Sequence, residues 1–222
     1  MKKVTRQDVL NQMLSNYSKN IYTCIPGNFV AFTDSEHQRA QVQIGVQRVD
    51  VYGSTFSPPP ITDVPVIFPG GDYSLEYELA NGAEGLIFFS QRCVDGWKQT
   101  GGVATNPVAR FHHPQDAFFM PGARSLLTAL ADFQNNGVRL RNADGTQYVW
   151  LKNDKSVNLK NPNGYVTLGA DGTVNANGTT IDKDGNLVLK SGATITDGKG
   201  VVLDTHTHPG VETGDGNTGE PQ

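Results

Sequence analysis

Cationic charge is scarce in this chain: 18 Lys and Arg stand against 22 Asp and Glu, for a formal net charge of −4. Binding a nucleic-acid backbone depends on concentrated Lys and Arg, so nucleic acid is not expected as a partner. Apolar residues are also few, 37% of 222, where a compact monomer usually sits nearer half. No apolar run approaches the roughly 18 residues that a membrane-spanning helix requires. The start, MKKVTRQDVLNQML, is basic but has no continuous apolar stretch, so a secretory signal is not expected and synthesis in a cytoplasm is. Only two cysteines occur, Cys24 and Cys93, and in a reducing compartment both are expected as buried thiols rather than a disulfide. G-x-S-x-G, H-E-x-x-H and P-loop patterns are missing, so the chain is not expected to be an enzyme.

What the chain does have is turn chemistry, with 25 Gly and 12 Pro, and a composition that changes along its length. Residues 1–20 carry Val4, Val9, Leu10, Met13, Leu14 and Tyr17 at spacings that suit an amphipathic helix or an ordered arm. Residues 21–120 are strand-like and broken by clusters such as Ser57-Pro58-Pro59-Pro60 and Pro69-Gly70-Gly71-Asp72. Within them Val42, Ile44 and Val46 alternate with polar residues, as a half-buried strand requires. Several short strands in about 100 residues predict a small β-barrel, of the OB-like kind. Residues 121–133, with Leu126, Leu127, Ala129, Leu130 and Phe133, read as a connector.

Beyond Gln134 apolar pairs recur at i and i+2: Val138 and Leu140, Val149 and Leu151, Val157 and Leu159, Val166 and Leu168, Leu187 and Leu189. Between them lie Asn142-Ala143-Asp144-Gly145, Ala170-Asp171-Gly172 and Lys183-Asp184-Gly185, residues that tolerate positive φ and reverse a chain within a few positions. A single ribbon offering two inward side chains per strand cannot offset an ordering cost of roughly 1–2 kcal/mol per residue. Three copies about one axis can, with strand edges pairing between chains. Residues 134–204 are therefore expected as a trimeric, intertwined, triple-stranded β-helix. A single-chain solenoid is the alternative, and irregular spacing speaks against it. The fold class expected is all-β.

Residues 205–222 hold the motif that carries chemistry, Thr205-His206-Thr207-His208-Pro209-Gly210. If the strand rhythm continues, His206 and His208 share a face. Two donors hold a metal weakly, but threefold symmetry turns them into six imidazoles. Six nitrogens make an octahedral site, which disfavours zinc and suits iron(II), with nickel or copper also admitted by affinity order. Elsewhere, His112 and His113 beside Pro114 and Asp116 read as a structural junction. Tyr73, Glu76, Tyr77 and Glu78 read as a solvated acidic–aromatic loop that could touch a partner. Asp182, Asp184 and Asp197 read as turn residues.

The run from His206 to Val211, followed by Gly214, Thr218-Gly219 and Pro221, resembles the C-terminal signature of contractile-tail phage central spike proteins. Arg110 to Gly122 resembles the junction between that family's N-terminal domain and its needle. The resemblance implies an OB-fold domain, a trimeric β-helix and one iron ion per trimer, held at the apex by His206 and His208 of three chains. It also implies a place in the virion tail baseplate, docking on a hub protein through the N-terminal domain, and a tip that meets the host outer membrane during sheath contraction. A type VI secretion tip and a trimeric tail fibre or adhesin are the neighbouring readings.

Overall fold

The computed structural model describes residues 4–50, 52–203, 205, 206, 210 and 214. It divides into two compact units, Met1–Ala129 and Leu130–Gln222, and apart from one short N-terminal helix and minor helical turns its regular structure is β. The helix is α1 (Arg6–Lys19). Its start is set by a reciprocal cap: the Asp8 N–H donates to Thr5 Oγ1 at 3.2 Å, and the Thr5 N–H donates to Asp8 Oδ2 at 2.8 Å. None of its residues is buried, so Val9, Leu10, Met13, Leu14 and Tyr17 form an uncovered apolar stripe.

The first unit continues with β1 (Cys24–Asp34), β2 (Arg39–Ile44), a small exposed ribbon β3 (Arg48–Val49) and β4 (Thr55–Phe56), then β5 (Ile61–Pro65), β6 (Glu84–Phe89), α2 (Asp95–Thr100) and β7 (Ala117–Pro121). Five strands form one sheet in the order β5-β2-β1-β6-β7. Two register shifts in β1, after Phe29 and after Phe32, bend that central strand as bulges do. The sheet curls into a half-barrel, and its ends meet at a parallel bridge between Val66 and Phe119, where the Ile67 N–H donates to the Phe119 carbonyl at 2.8 Å. Alternation selects the core: Ala40, Val42 and Ile44 from β2, Ile87 and Phe89 from β6, Ala117 and Phe119 from β7. Val46, expected to continue the β2 alternation, lies beyond the strand and is exposed. Gly27 and Gly85 face each other across β1 and β6. A Cβ at Gly27 would come within 2.4 Å of Ile87 Cδ1, and one at Gly85 within 2.7 Å of the Phe119 ring, so the bare backbone there lets large core side chains lie flat across it. Cys93 is buried as expected, but Cys24 is exposed. It opens β1 on the side of the strand turned away from the core, where alternation places Gly27 and Phe29 inward instead.

The connector is held rather than loose. The Glu84 carboxylate accepts from the Ser125 N–H at 2.5 Å, from Ser125 Oγ at 3.0 Å and from Thr128 Oγ1 at 2.5 Å. These bonds tie the short 3₁₀ turn Leu126–Thr128 to β6, and they leave Leu126 and Leu127 almost fully exposed.

The second unit is a seven-stranded antiparallel meander: β8 (Gly137–Arg141), β9 (Tyr148–Lys152), β10 (Val157–Asn161), β11 (Gly164–Leu168), β12 (Val174–Ala176), β13 (Thr179–Ile181) and β14 (Leu187–Val188). Its hairpins repeat one device. The N–H groups of Gly145, Lys155, Gly172, Gly185 and Gly200 each bond the carbonyl three residues back, at 3.0–3.2 Å, and each of the five has positive φ. A nearby Asp caps most of these turns. Asp154 Oδ1, for example, accepts from the Ser156 N–H at 2.9 Å and Oγ at 2.6 Å, and with the Lys152 ammonium this holds its pKa down at about 2. The β12–β13 turn is instead a two-residue loop, Asn177-Gly178, with both residues at positive φ.

This pairing differs from the expected one in an informative way. Each strand bonds its sequence neighbours in the same chain, so it is not the strand edges that require other copies. What the chain leaves unsatisfied is a face.

Candidate functional site

The register lines up the recurring apolar pairs. Val138 lies opposite Leu151, Leu151 opposite Val157, and Val157 opposite Leu168, while Leu140, Val149, Leu159 and Val166 run alongside. Val174, Ile181 and Leu187 extend the row through the later strands. All of these side chains stand on one side of the sheet, because strand residues two apart share a face. That side is bare: Val138 is 67% and Leu151 54% exposed.

The other side carries Arg139, Arg141, Tyr148, Trp150, Lys152 and Lys160, and it covers itself. The Arg139 guanidinium lies 5.0 Å from the Tyr148 ring centroid and 5.2 Å from that of Trp150, and Lys152 Nζ lies 5.4 Å from Trp150. The two rings meet edge to face at 5.9 Å. Stacked cations and aromatics of this kind shield one another while keeping polar groups at the surface. The Arg139 side chain is left only 8% exposed. The burial is thus the inverse of a monomer's, with long polar groups shielded and branched aliphatics in water.

Near the C-terminal end the meander closes on a bridge between Thr196 and Val202. The Thr205 and His206 N–H groups then both point back to the Val202 carbonyl, at 3.3 and 2.9 Å. His206 therefore follows a turn, and alternation along a strand is not what positions it. His208, the other residue expected at the apex, lies outside the described residues. His206 Nδ1 is 2.7 Å from the Leu203 carbonyl. A carbonyl can only accept, so Nδ1 is the donor in this bond, and the backbone orients the ring through that nitrogen, as happens in many imidazoles that ligate metals through the other one.

One further cluster of metal-ligand types occurs among the described residues: Cys93, Asp95 and Asp116. The cation there is already supplied by the protein. Arg110 donates to Asp116 at 2.7 and 3.1 Å and to Asp95 at 2.8 Å, and the Val94 N–H donates to Asp116 at 3.0 Å. Burial works to raise the Asp116 pKa, but the Arg110 guanidinium and the Val94 N–H outweigh it and hold the carboxyl below its ordinary value. Arg110 is shifted the opposite way, upward, chiefly by its bond to Asp116. His113 accepts from the Gln115 N–H at 3.2 Å, and His112 Nδ1 bonds the Tyr22 carbonyl at 3.0 Å. The segment from Arg110 to Asp116 is a structural junction. The pairing of Arg110 with Asp95, fifteen residues away, carries no sequence signal.

Comparison with protein families bears on both ends of the chain. Residues 25–122 match the phage protein Gp138 N-terminal domain, and residues 200–222 match the GpV apex motif. The first match spans all five strands of the half-barrel, and the second begins at the last turn of the meander. No curated protein matches the chain. A Gp138-type domain near one end and a GpV-type apex at the other indicate a phage central spike protein of the tail baseplate.

Proposed function

We propose that three copies of this chain form the membrane-piercing needle of a contractile phage tail. The observation that carries the reading is the uncovered aliphatic face of the β8–β14 meander. Strand hydrogen bonds are met within the chain, so only side-chain burial is wanting, and three meanders brought face to face around an axis provide it. Each chain then forms one wall of a prism, a trimeric β-helix in which the Val and Leu rows meet inside and the Arg, Lys and aromatic face stays outside. Such a body is narrow and has interior packing along its length, properties suited to transmitting the force of sheath contraction to the host outer membrane.

At the apex, His206 and His208 of three chains would hold one iron ion through imidazole nitrogens, and the ion would supply a cross-link among chain ends that otherwise fray. The half-barrel, whose strand order and parallel closure suit an OB-type barrel, would dock on the baseplate hub. The role is mechanical and not enzymatic: the carboxylates of the Cys93–Asp95–Asp116 cluster are engaged by Arg110. Sedimentation equilibrium and metal analysis on one purified sample test the proposal. A mass of three chains of 24.0 kDa with one iron per three chains is expected. A stable folded monomer defeats the needle, and a metal-to-trimer ratio unchanged in a variant carrying His206→Ala and His208→Ala defeats the apex assignment.

A further inference from the structure

We propose that a pocket on the half-barrel, between the β1–β2 turn and the loop after β5, receives an Arg or Lys side chain of a neighbouring baseplate protein and is where this domain docks. The inference rests on the reading of the chain as a baseplate spike. It adds the place of contact and the chemistry of the partner. The cavity is about 360 Å³, walled by Phe32, Phe68 and Tyr77, with Ser35, Gln38 and Glu76 at its polar side. That volume is at the small end of ligand sites, suited to one long side chain and not to an extended molecule.

Its walls are built in advance of any partner. Phe68 and Tyr77 meet edge to face at 5.3 Å, and Phe32 meets the core residue Phe29 in the same way at 4.9 Å. The loop itself is closed by the Leu75 N–H on the Pro69 carbonyl at 2.8 Å and by the Gly71 N–H on the Tyr73 carbonyl at 2.9 Å. Gly70 permits this closure, because a Cβ there would lie 2.6 Å from the Tyr73 carbonyl oxygen. Tyr73 is thereby held at the loop tip, 92% exposed.

Charge then selects the occupant. Asp34, Glu36, Asp72, Glu76 and Glu78 belong to the two segments that frame the pocket, and neither 33–38 nor 69–80 contains Lys or Arg. His37 is engaged with Asp34 at 2.8 Å, and the other four carboxylates make no ion pair among the described residues. The nearest strand cation, Arg39, is turned elsewhere: its guanidinium bonds the Lys98 carbonyl at 3.2 Å and lies 3.9 Å from Asp63. Aromatic walls attract a cation through their faces, and the Glu76 carboxylate in the lining fixes its head. An Arg or Lys with its aliphatic stem against Phe32, Phe68 and Tyr77 satisfies both requirements. An anionic or purely apolar partner would leave the Glu76 carboxylate unmatched at the contact.

The test uses full-length protein and baseplates purified from particles assembled without it. Association is measured for the native chain and for Glu76→Lys, Tyr77→Ala and Asp197→Asn, the last a control in the second unit. Circular dichroism and sedimentation confirm that each variant keeps the native fold and mass. Charge reversal at Glu76 and removal of the Tyr77 wall should each weaken association about tenfold, and the control should not. Affinities unchanged in both pocket variants overturn the proposal. Zero-length carbodiimide coupling on intact baseplates supplies a second readout: amide links from Glu76, Glu36 or Asp72 to lysines of another baseplate protein support it. Links from these carboxylates to a second copy of this chain overturn it. Absence of the native chain from purified baseplates would instead defeat the reading of the chain as a spike, a result distinguishable from failure of the pocket alone.

Discussion

Leu151 sits in the row of apolar residues on the meander, opposite Val138 on one flank and Val157 on the other. In the isolated chain it is 54% exposed, so Leu151→Ala in a monomer would be a surface change worth within about 0.5 kcal/mol. In a needle whose interior is this face, the same substitution removes core volume. Completing the burial of a half-exposed Leu is worth about 1 kcal/mol, and the cavity left by truncation raises the loss to about 2 kcal/mol per chain. Threefold symmetry multiplies it, giving roughly 6 kcal/mol per trimer, or about four powers of ten in the association constant. Lys160→Ala, on the opposite face, should change stability by no more than about 0.5 kcal/mol. Sedimentation of labelled protein over a wide concentration range, with thermal unfolding alongside, reads both variants. If Leu151→Ala dissociates no more readily than the native chain, or Lys160→Ala is equally damaging, the aliphatic face is not the interior of an assembly.

The Arg110 network predicts that Asp116→Asn destabilises the first unit by about 3 kcal/mol, because it leaves a guanidinium short of a buried partner. The native Asp116 pKa is depressed, so its contribution is present above the ordinary Asp value near 3.9 and is lost as pH falls through the folded pKa. The difference in melting temperature between native and variant should therefore shrink on going from neutral pH to below about 4, and a constant difference would contradict the assignment. Lys155 has φ 71, where the corresponding residues of the other repeated turns are Gly. Lys155→Gly should relieve that strain and stabilise the protein by up to about 1 kcal/mol, after allowance for the greater freedom of Gly in the unfolded chain; a lower melting temperature would show that the Lys side chain has a role at that turn.

Patterns of short range were legible without coordinates. Alternation at Val42 and Ile44, the Val and Leu pairs after Gln134, and the Asp-Gly turns between them depend on backbone geometry that repeats every two residues or reverses within four. They were enough to place all-β structure and to show that the aliphatic rows need covering. Which strands pair is a different matter, since register depends on turn length and on which face must be buried. The short loops let each strand return directly beside its predecessor, so hydrogen bonds expected to run between chains are made within one. Residues 1–20, read as an amphipathic helix or an ordered arm, contain α1, whose determinants are local: an i, i+3, i+4 stripe in the sequence and a reciprocal cap between Thr5 and Asp8. Cys24 escaped such reasoning because its exposure follows from which side of β1 faces the barrel. Only tertiary structure joins Arg110 to Asp95, ties Ser125 to Glu84 across forty-one residues, and brings Phe32, Phe68 and Tyr77 around one cavity. Those contacts link residues far apart in the chain, and nothing in local periodicity encodes them; it is the curl of a bulged five-stranded sheet that sets them side by side.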